Sequence, residues 1–132
     1  MRSSAVETIK RVTPELCGTG AGIVLDAVDT KVAAQGIFNG AFRNSGQVCI
    51  AMKRLYVHES IYDQMCEELT VLAENAVVGD GLEQGNQFGP LQNRMQFEKV
   101  KEILEVARKH GRVLAGANVP GTGFLISPTM WC

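Results

Sequence analysis

The sequence of 132 residues lacks a long apolar run and an excess of charge of either sign. Its 13 basic and 14 acidic side chains leave a net charge of −1, which gives no general attraction to nucleic acid or to an anionic membrane. No stretch is apolar enough to cross a bilayer, and the first ten residues do not resemble a secretory signal. These absences predict a cytoplasmic protein that binds neither nucleic acid nor membranes.

Closely spaced metal ligands are missing as well. None of the four cysteines belongs to a CxxC pair, and the two histidines are far apart in the sequence. Because zinc sites usually combine closely spaced ligand pairs, we expect no metal site. Cytosolic thiols normally stay reduced, so we expect most of the cysteines to pack in the core and at most one or two to react.

Segments with the pattern of strands and helices alternate along the chain. Helices are predicted at the start with Ser4 as the cap, from Asp29 to Arg43, after Ser60 and Asp63 as the cap of the next one, and from Asn93 onward. The strands are predicted in "KRVTPEL", in a buried "IVLD", in "RLYVH", in "RVLAG" and in "GFLISPTMW". This alternation predicts an α/β fold, with a mainly parallel sheet flanked by helices. No linker or repeat divides the chain, so residues 1–132 are interpreted as a single domain.

Two residues are candidates for chemistry. Cys49 follows "NSG", where Asn44 and Gly46 can take left-handed backbone angles and end the preceding helix. A thiol just past a helix end is either a small core residue or a nucleophile. Glu15, in the apolar context "VTPELC", either faces solvent or is buried as a general base. The nearby "GTGAG" leads into a strand, which favours a flexible turn over a phosphate-binding loop.

Six stretches occur together in an order and spacing that resemble the aldehyde dehydrogenase superfamily. They are "RVTPELCG", "IVLDAVD", "GAFRNSGQVCIA", "RLYVHESIYD", "VGDGLEQGNQFGPL" and "GFLISPT". The first contains a glutamate signature and the third a cysteine signature, and Glu15 and Cys49 stand 34 positions apart (49 − 15) as in that family. The resemblance covers nearly the whole chain.

The resemblance implies a catalytic cycle and a cofactor. Cys49 would attack an aldehyde to form a thiohemiacetal, with its own backbone N–H helping to hold the oxyanion. Hydride would pass to the nicotinamide of NAD or NADP, and Glu15 would then activate water to release a carboxylic acid from the thioester. The backbone of Leu16 would lie against the cofactor, and the other partner would be a small aldehyde.

The chain also departs from the family pattern. The usual E-L-G-G-K-S-P reads "ELCGTGA" here, and the nucleotide-binding and oligomerisation segments are absent, so we expect a catalytic domain that is incomplete at both ends. Two other functions stay open. One is a thiol esterase that works without a cofactor, and the other is a non-catalytic remnant that associates through an exposed sheet edge.

Overall fold

The computed structural model describes residues 11–13, 18–121 and 123–132. Helices and strands alternate in these ranges, which confirms the predicted α/β class. In chain order the elements are β1 (Gly20–Val24), α1 (Thr30–Phe42), β2 (Met52–Val57), α2 (Tyr62–Glu74), α3 (Arg94–His110), β3 (Val113–Ala115) and β4 (Met130–Trp131). Short 3₁₀ turns at Arg43–Gly46 and Glu59–Ile61 precede β2 and α2. The predicted opening helix and most of the "KRVTPEL" strand lie outside the described residues, and residues 11–13 are not in a strand.

The strands of the described residues form two pairs. β1 and β2 run parallel, with Ile23 opposite Tyr56 and Val24 opposite Val57. β3 and β4 run antiparallel, with Val113 opposite Trp131. The expectation of parallel strands therefore holds for the pair that lies nearest to Cys49 in the sequence.

Two strand predictions need correction. β1 begins at Gly20, three residues before the predicted "IVLD", because glycines without side chains let it approach β2 closely. It is also not wholly buried: Ile23 is 75% exposed, since among residues 18–121 and 123–132 the helices cover the other face of this strand pair. The predicted strand "GFLISPTMW" shrinks to Met130–Trp131, because its earlier part bonds to loops: Phe124 accepts from Leu91, and Ser127 donates to Asn118.

The helices begin and end mostly where local signals predict. Asp29 caps α1 by accepting from the Val32 N–H at 3.0 Å, and Asn93 caps α3 by accepting from the Gln96 N–H at 2.8 Å. The prediction that Ser60 caps α2 is wrong. The ring of His58 accepts from the Ser60 N–H at 3.3 Å, which forms a 3₁₀ turn, and α2 starts only at Tyr62.

The core lies where α1 and α2 pack against each other and against the strand pairs. Ala34 and Phe38 of α1 are buried there, as the helical spacing predicts, together with Met65 and Leu69 of α2. Met65 is only 1% exposed and is the largest fully buried side chain of the described residues. None of the helices in the described ranges has both the length and the apolar character that a membrane crossing requires.

Candidate active site

Cys49 lies on a tight turn and not in the core. The Ala51 N–H donates to the Val48 carbonyl at 3.1 Å, which places Cys49 and Ile50 at the two central positions of the turn. Cys49 is exposed and Ile50 is 82% exposed, whereas Ala51 is only 1% exposed. Of the two interpretations of Cys49, burial as a core residue is therefore wrong, and the thiol is accessible to a substrate.

The chain reaches this turn through three successive residues with left-handed backbone angles. Their φ values are 52° at Asn44, 56° at Ser45 and 74° at Gly46. The predicted left-handed backbone angles are confirmed for Asn44 and Gly46. They were not predicted for Ser45, because serine has no marked preference for left-handed angles. The Ser45 hydroxyl donates to the Gly89 carbonyl at 2.8 Å and so helps to hold a conformation that costs free energy.

The side chain of Gln47 connects the segment before Cys49 with the start of α3. Its side-chain oxygen accepts from the Gln92 N–H at 2.8 Å, and its amide nitrogen donates to the Asn44 carbonyl at 3.2 Å. The Asn44 side chain donates in return to the Gln47 carbonyl at 3.3 Å. This residue belongs to the cysteine signature, so the sequence carried a signal for it, although not for its role as a tether.

Lys53 contacts the same segment from the start of β2. Its ammonium group donates to the Gly46 carbonyl, and partial burial lowers the pKa of Lys53 from its usual 10.5. The hydrogen bond compensates part of the cost of taking this charge out of water. No motif or spacing in the sequence singles out Lys53.

The glycine-rich segment that follows Glu15 in the sequence packs against Cys49. A β-carbon on Gly18 would collide with the Cys49 carbonyl oxygen and lie 2.7 Å from its carbon. One on Gly20 would lie 2.9 Å from the Ala51 carbonyl oxygen. The backbones therefore touch at positions where only glycine fits, and this brings the two signature segments together. Glu15 itself, the predicted base, and Leu16, the predicted cofactor contact, lie outside the described residues.

Neither of the two best-defined cavities is lined by Cys49. A cleft of about 430 Å³ lies between β2 and β4, and a cavity of about 570 Å³ borders Asn44 behind the turn. The glycine-rich segment enters β1 directly instead of opening a helix, so it does not form the anion site that a helix N-terminus offers to a pyrophosphate. Within the described ranges, no three histidine, cysteine or acidic side chains cluster in a way that could hold a metal ion.

Known proteins are similar to this chain in sequence and in fold. The sequence model described as "Aldehyde dehydrogenase family" matches residues 1–131. A probable aldehyde dehydrogenase from a Pseudomonas species is 40% identical over 128 residues, which cover 96% of this chain and 26% of that protein. Phenylacetaldehyde dehydrogenase of Pseudomonas fluorescens is 39% identical over 132 residues, which cover 98% of this chain and 26% of that protein.

The solved structures agree with these matches. The NAD+ complex of an aldehyde dehydrogenase from Bacillus cereus superposes with a TM-score of 0.89 at 33% identity. The match covers 98% of this chain and 27% of that one. The chain thus spans about a quarter of the length of the relatives it matches.

Proposed function

This chain belongs to the aldehyde dehydrogenase family, and from that premise we propose that it forms part of the catalytic domain of an enzyme that oxidises an aldehyde to a carboxylic acid with NAD or NADP. The main support for the proposal is the exposed Cys49 thiol. The segment before it is hydrogen-bonded to Gln92 through Gln47, and the backbone of Cys49 packs against Gly18. The names of the relatives support the reaction class, and the NAD+ complex supports the cofactor. Residues 1–132 would form one partial domain.

Cys49 and Glu15 would carry the covalent chemistry. The Cys49 thiolate would attack the carbonyl carbon of the aldehyde, and the backbone N–H of the same residue would stabilise the resulting oxyanion. Glu15 would take a proton from the water that hydrolyses the thioester. Support for this pairing comes from Gly18, which stands three positions after Glu15 in the sequence and packs against the carbonyl group of Cys49.

A nicotinamide cofactor supplies the hydride acceptor of such a reaction when it is bound. The glycine-rich segment leads into β1 and not into a helix N-terminus, so it does not form a pyrophosphate site of that kind, and the cofactor contact proposed for this chain is the backbone of Leu16, which lies outside the described residues. What this chain contributes by its own residues is the nucleophile, the geometry of its turn and the proposed base. These parts can be tested without any cofactor.

The proposed nucleophile is tested with a chromogenic ester, which acylates a thiol without hydride transfer. We expect an initial burst of one product molecule per chain, lost in Cys49→Ser and retained in Cys66→Ser, because Cys66 lies apart from the turn. Iodoacetamide should label Cys49 before Cys66. No burst, together with labelling of Cys49 no faster than that of Cys66, would refute the proposal and favour the non-catalytic alternative.

The proposed base is tested in the same assay. In Glu15→Gln we expect the burst to remain and the later steady turnover to fall by about 10²–10⁴-fold, because only the hydrolysis of the acyl-enzyme needs a base. Glu67→Gln, which changes an exposed carboxylate on α2, is the matched control and should behave like the unaltered chain. An equal loss in both variants would contradict the role of Glu15.

The proposal also includes the location of the protein in the cell and its association with further copies of itself. We propose that the protein works in the cytoplasm, where a reactive thiol such as Cys49 stays reduced. We also propose that copies of the chain associate through an exposed sheet edge at β4, where the large apolar side chain of Trp131 is 50% exposed. Sedimentation measurements on the chain test the second point, and a monomer at all concentrations would exclude it.

A further inference from the structure

Two consecutive cationic side chains at the start of β2 hydrogen-bond to the two segments that flank Cys49. The Lys53 ammonium group donates to the Gly46 carbonyl, three positions before Cys49. The Arg54 guanidinium group donates to the Thr19 carbonyl at 2.9 Å. Gly46 and Thr19 stand 27 positions apart in the sequence (46 − 19), so one pair of adjacent residues connects two segments that only the fold brings together.

The pairing of β1 with β2 is irregular at this pair of residues. Met52 lies opposite Gly20 and Arg54 lies opposite Ala21, so Lys53 is an extra residue that has no counterpart on β1. Bulges of this kind bend a strand and re-aim a side chain, and they occur frequently next to active sites. The extra residue is the one whose ammonium group reaches the segment before the turn.

The two accepting carbonyl groups belong to segments that determine where the turn lies. Gly46 is the last of the three left-handed residues that lead to Cys49. Thr19 directly follows Gly18, which packs against the carbonyl group of Cys49. Because a hydrogen bond from a charged donor is stronger than one between neutral groups, each segment is held by a strong bond from the same short part of β2.

We propose that Lys53 and Arg54 are positioning residues for the nucleophile Cys49: Lys53 holds the segment before it, and Arg54 holds the glycine-rich segment beside it. This role rests on the function proposed for Cys49. Neither side chain takes part in making or breaking a bond. Their hydrogen bonds keep the thiol where the carbonyl carbon of a substrate can approach, and a displacement of a reacting group by about 1 Å can lower a rate by about 10²-fold.

Amide hydrogen exchange tests whether the two side chains hold their segments, and it needs no catalysis. Lys53→Met retains an extended side chain but no donor, so exchange should become faster at Gln47, whose N–H donates to the Asn44 carbonyl. Arg54→Met should instead speed exchange in residues 18–20. Each local acceleration should exceed any change in the buried part of α2, which separates loss of position from a general loss of stability.

The chromogenic ester measures the effect on Cys49 itself. In Lys53→Met and in Arg54→Met we expect the burst to keep its amplitude and to become slower by about 10–100-fold. Lys53→Arg retains a charged donor and should recover most of the rate. Lys99→Met, which changes an exposed lysine on α3, is the matched control and should leave the rate unchanged.

Two results would overturn the proposal. One is a burst at the unaltered rate in both methionine variants, and the other is unchanged exchange in the segments that Lys53 and Arg54 contact. A chain that gives no burst at all before substitution would refute the function proposed for Cys49. In that case the exchange measurements still decide whether Lys53 and Arg54 hold the two segments.

Discussion

At the scale of single residues, Gly18 decides how closely the two signature segments approach. Its α-carbon faces the carbonyl group of Cys49, and no side chain fits between them. The position of the turn that carries Cys49 thus depends on the absence of a methyl group at Gly18. Gly36 in α1 provides a contrast within the same chain, because a β-carbon there would meet nothing within 4 Å.

The pair Gly18→Ala and Gly36→Ala tests this difference. We expect Gly18→Ala to reduce the free energy of unfolding by about 1–3 kcal/mol or more, because the added methyl forces the backbone of Cys49 to move. Gly36→Ala should instead raise it by about 0.5–1 kcal/mol, since alanine suits a helix interior better than glycine. Urea denaturation measures both changes. Equal stability of the two variants would show that the segments can separate without cost.

The residues of the candidate site were only partly predictable for physical reasons. Asn44 and Gly46 were found because their preference for left-handed angles is local to the residue. Ser45, Lys53 and Gly18 act through bonds or contacts with distant backbone groups, which no local preference encodes. For the same reason Cys49, with apolar neighbours in the sequence, could not be separated from a core residue until its turn was known.

At the scale of elements, the start of α3 supports the candidate site. Asn93 caps this helix, and the backbone N–H of the preceding Gln92 donates to the side chain of Gln47. The cap and the tether are adjacent in the chain, so disorder in the first turn of α3 would loosen the segment that leads to Cys49. The start of α3 thereby helps to position Gln47, which precedes Cys49 by two residues and lies outside the helix.

Replacement of the cap tests this coupling. Asn93→Ala should reduce the free energy of unfolding by about 1 kcal/mol, because the Gln96 N–H loses its acceptor. It should also speed amide exchange at Gln92, measured by hydrogen–deuterium exchange. Asn93→Asp keeps an acceptor at the same place and should preserve both properties. Unchanged exchange at Gln92 in Asn93→Ala would mean that the tether is independent of the cap.

Helices were more predictable than strands in this chain. The bounds of α1 and α3 follow from caps and apolar spacing that lie within the helix itself. β1 is rich in glycine and forms because β2 lies beside it, which a strand propensity does not reveal. The segment before β4 has the composition of a strand but hydrogen-bonds to loops. Its Phe124 carbonyl accepts from the Leu91 N–H, and its Ser127 N–H donates to the Asn118 carbonyl.

At the scale of the whole molecule, the two strand pairs found in the described part of the chain share one small core. The helices cover one side of β1 and β2, while Ile23 and Tyr56 lie exposed on the other. The β3–β4 pair meets this body through α2, across the cleft that holds Cys66 and Cys132.

The left-handed stretch Asn44–Ser45–Gly46 has a consequence for how this sequence can drift over evolutionary time. Because three successive residues adopt positive φ, we expect few residue types to be accepted there: glycine, asparagine and aspartate adopt these angles most readily, Ser45 is supported by its bond to Gly89, and the β-branched residues valine, isoleucine and threonine should be unfavourable. The constraint acts on the backbone and does not depend on the chemistry proposed for Cys49. We therefore expect these three positions to keep residues that accept left-handed angles even in relatives that act on different substrates.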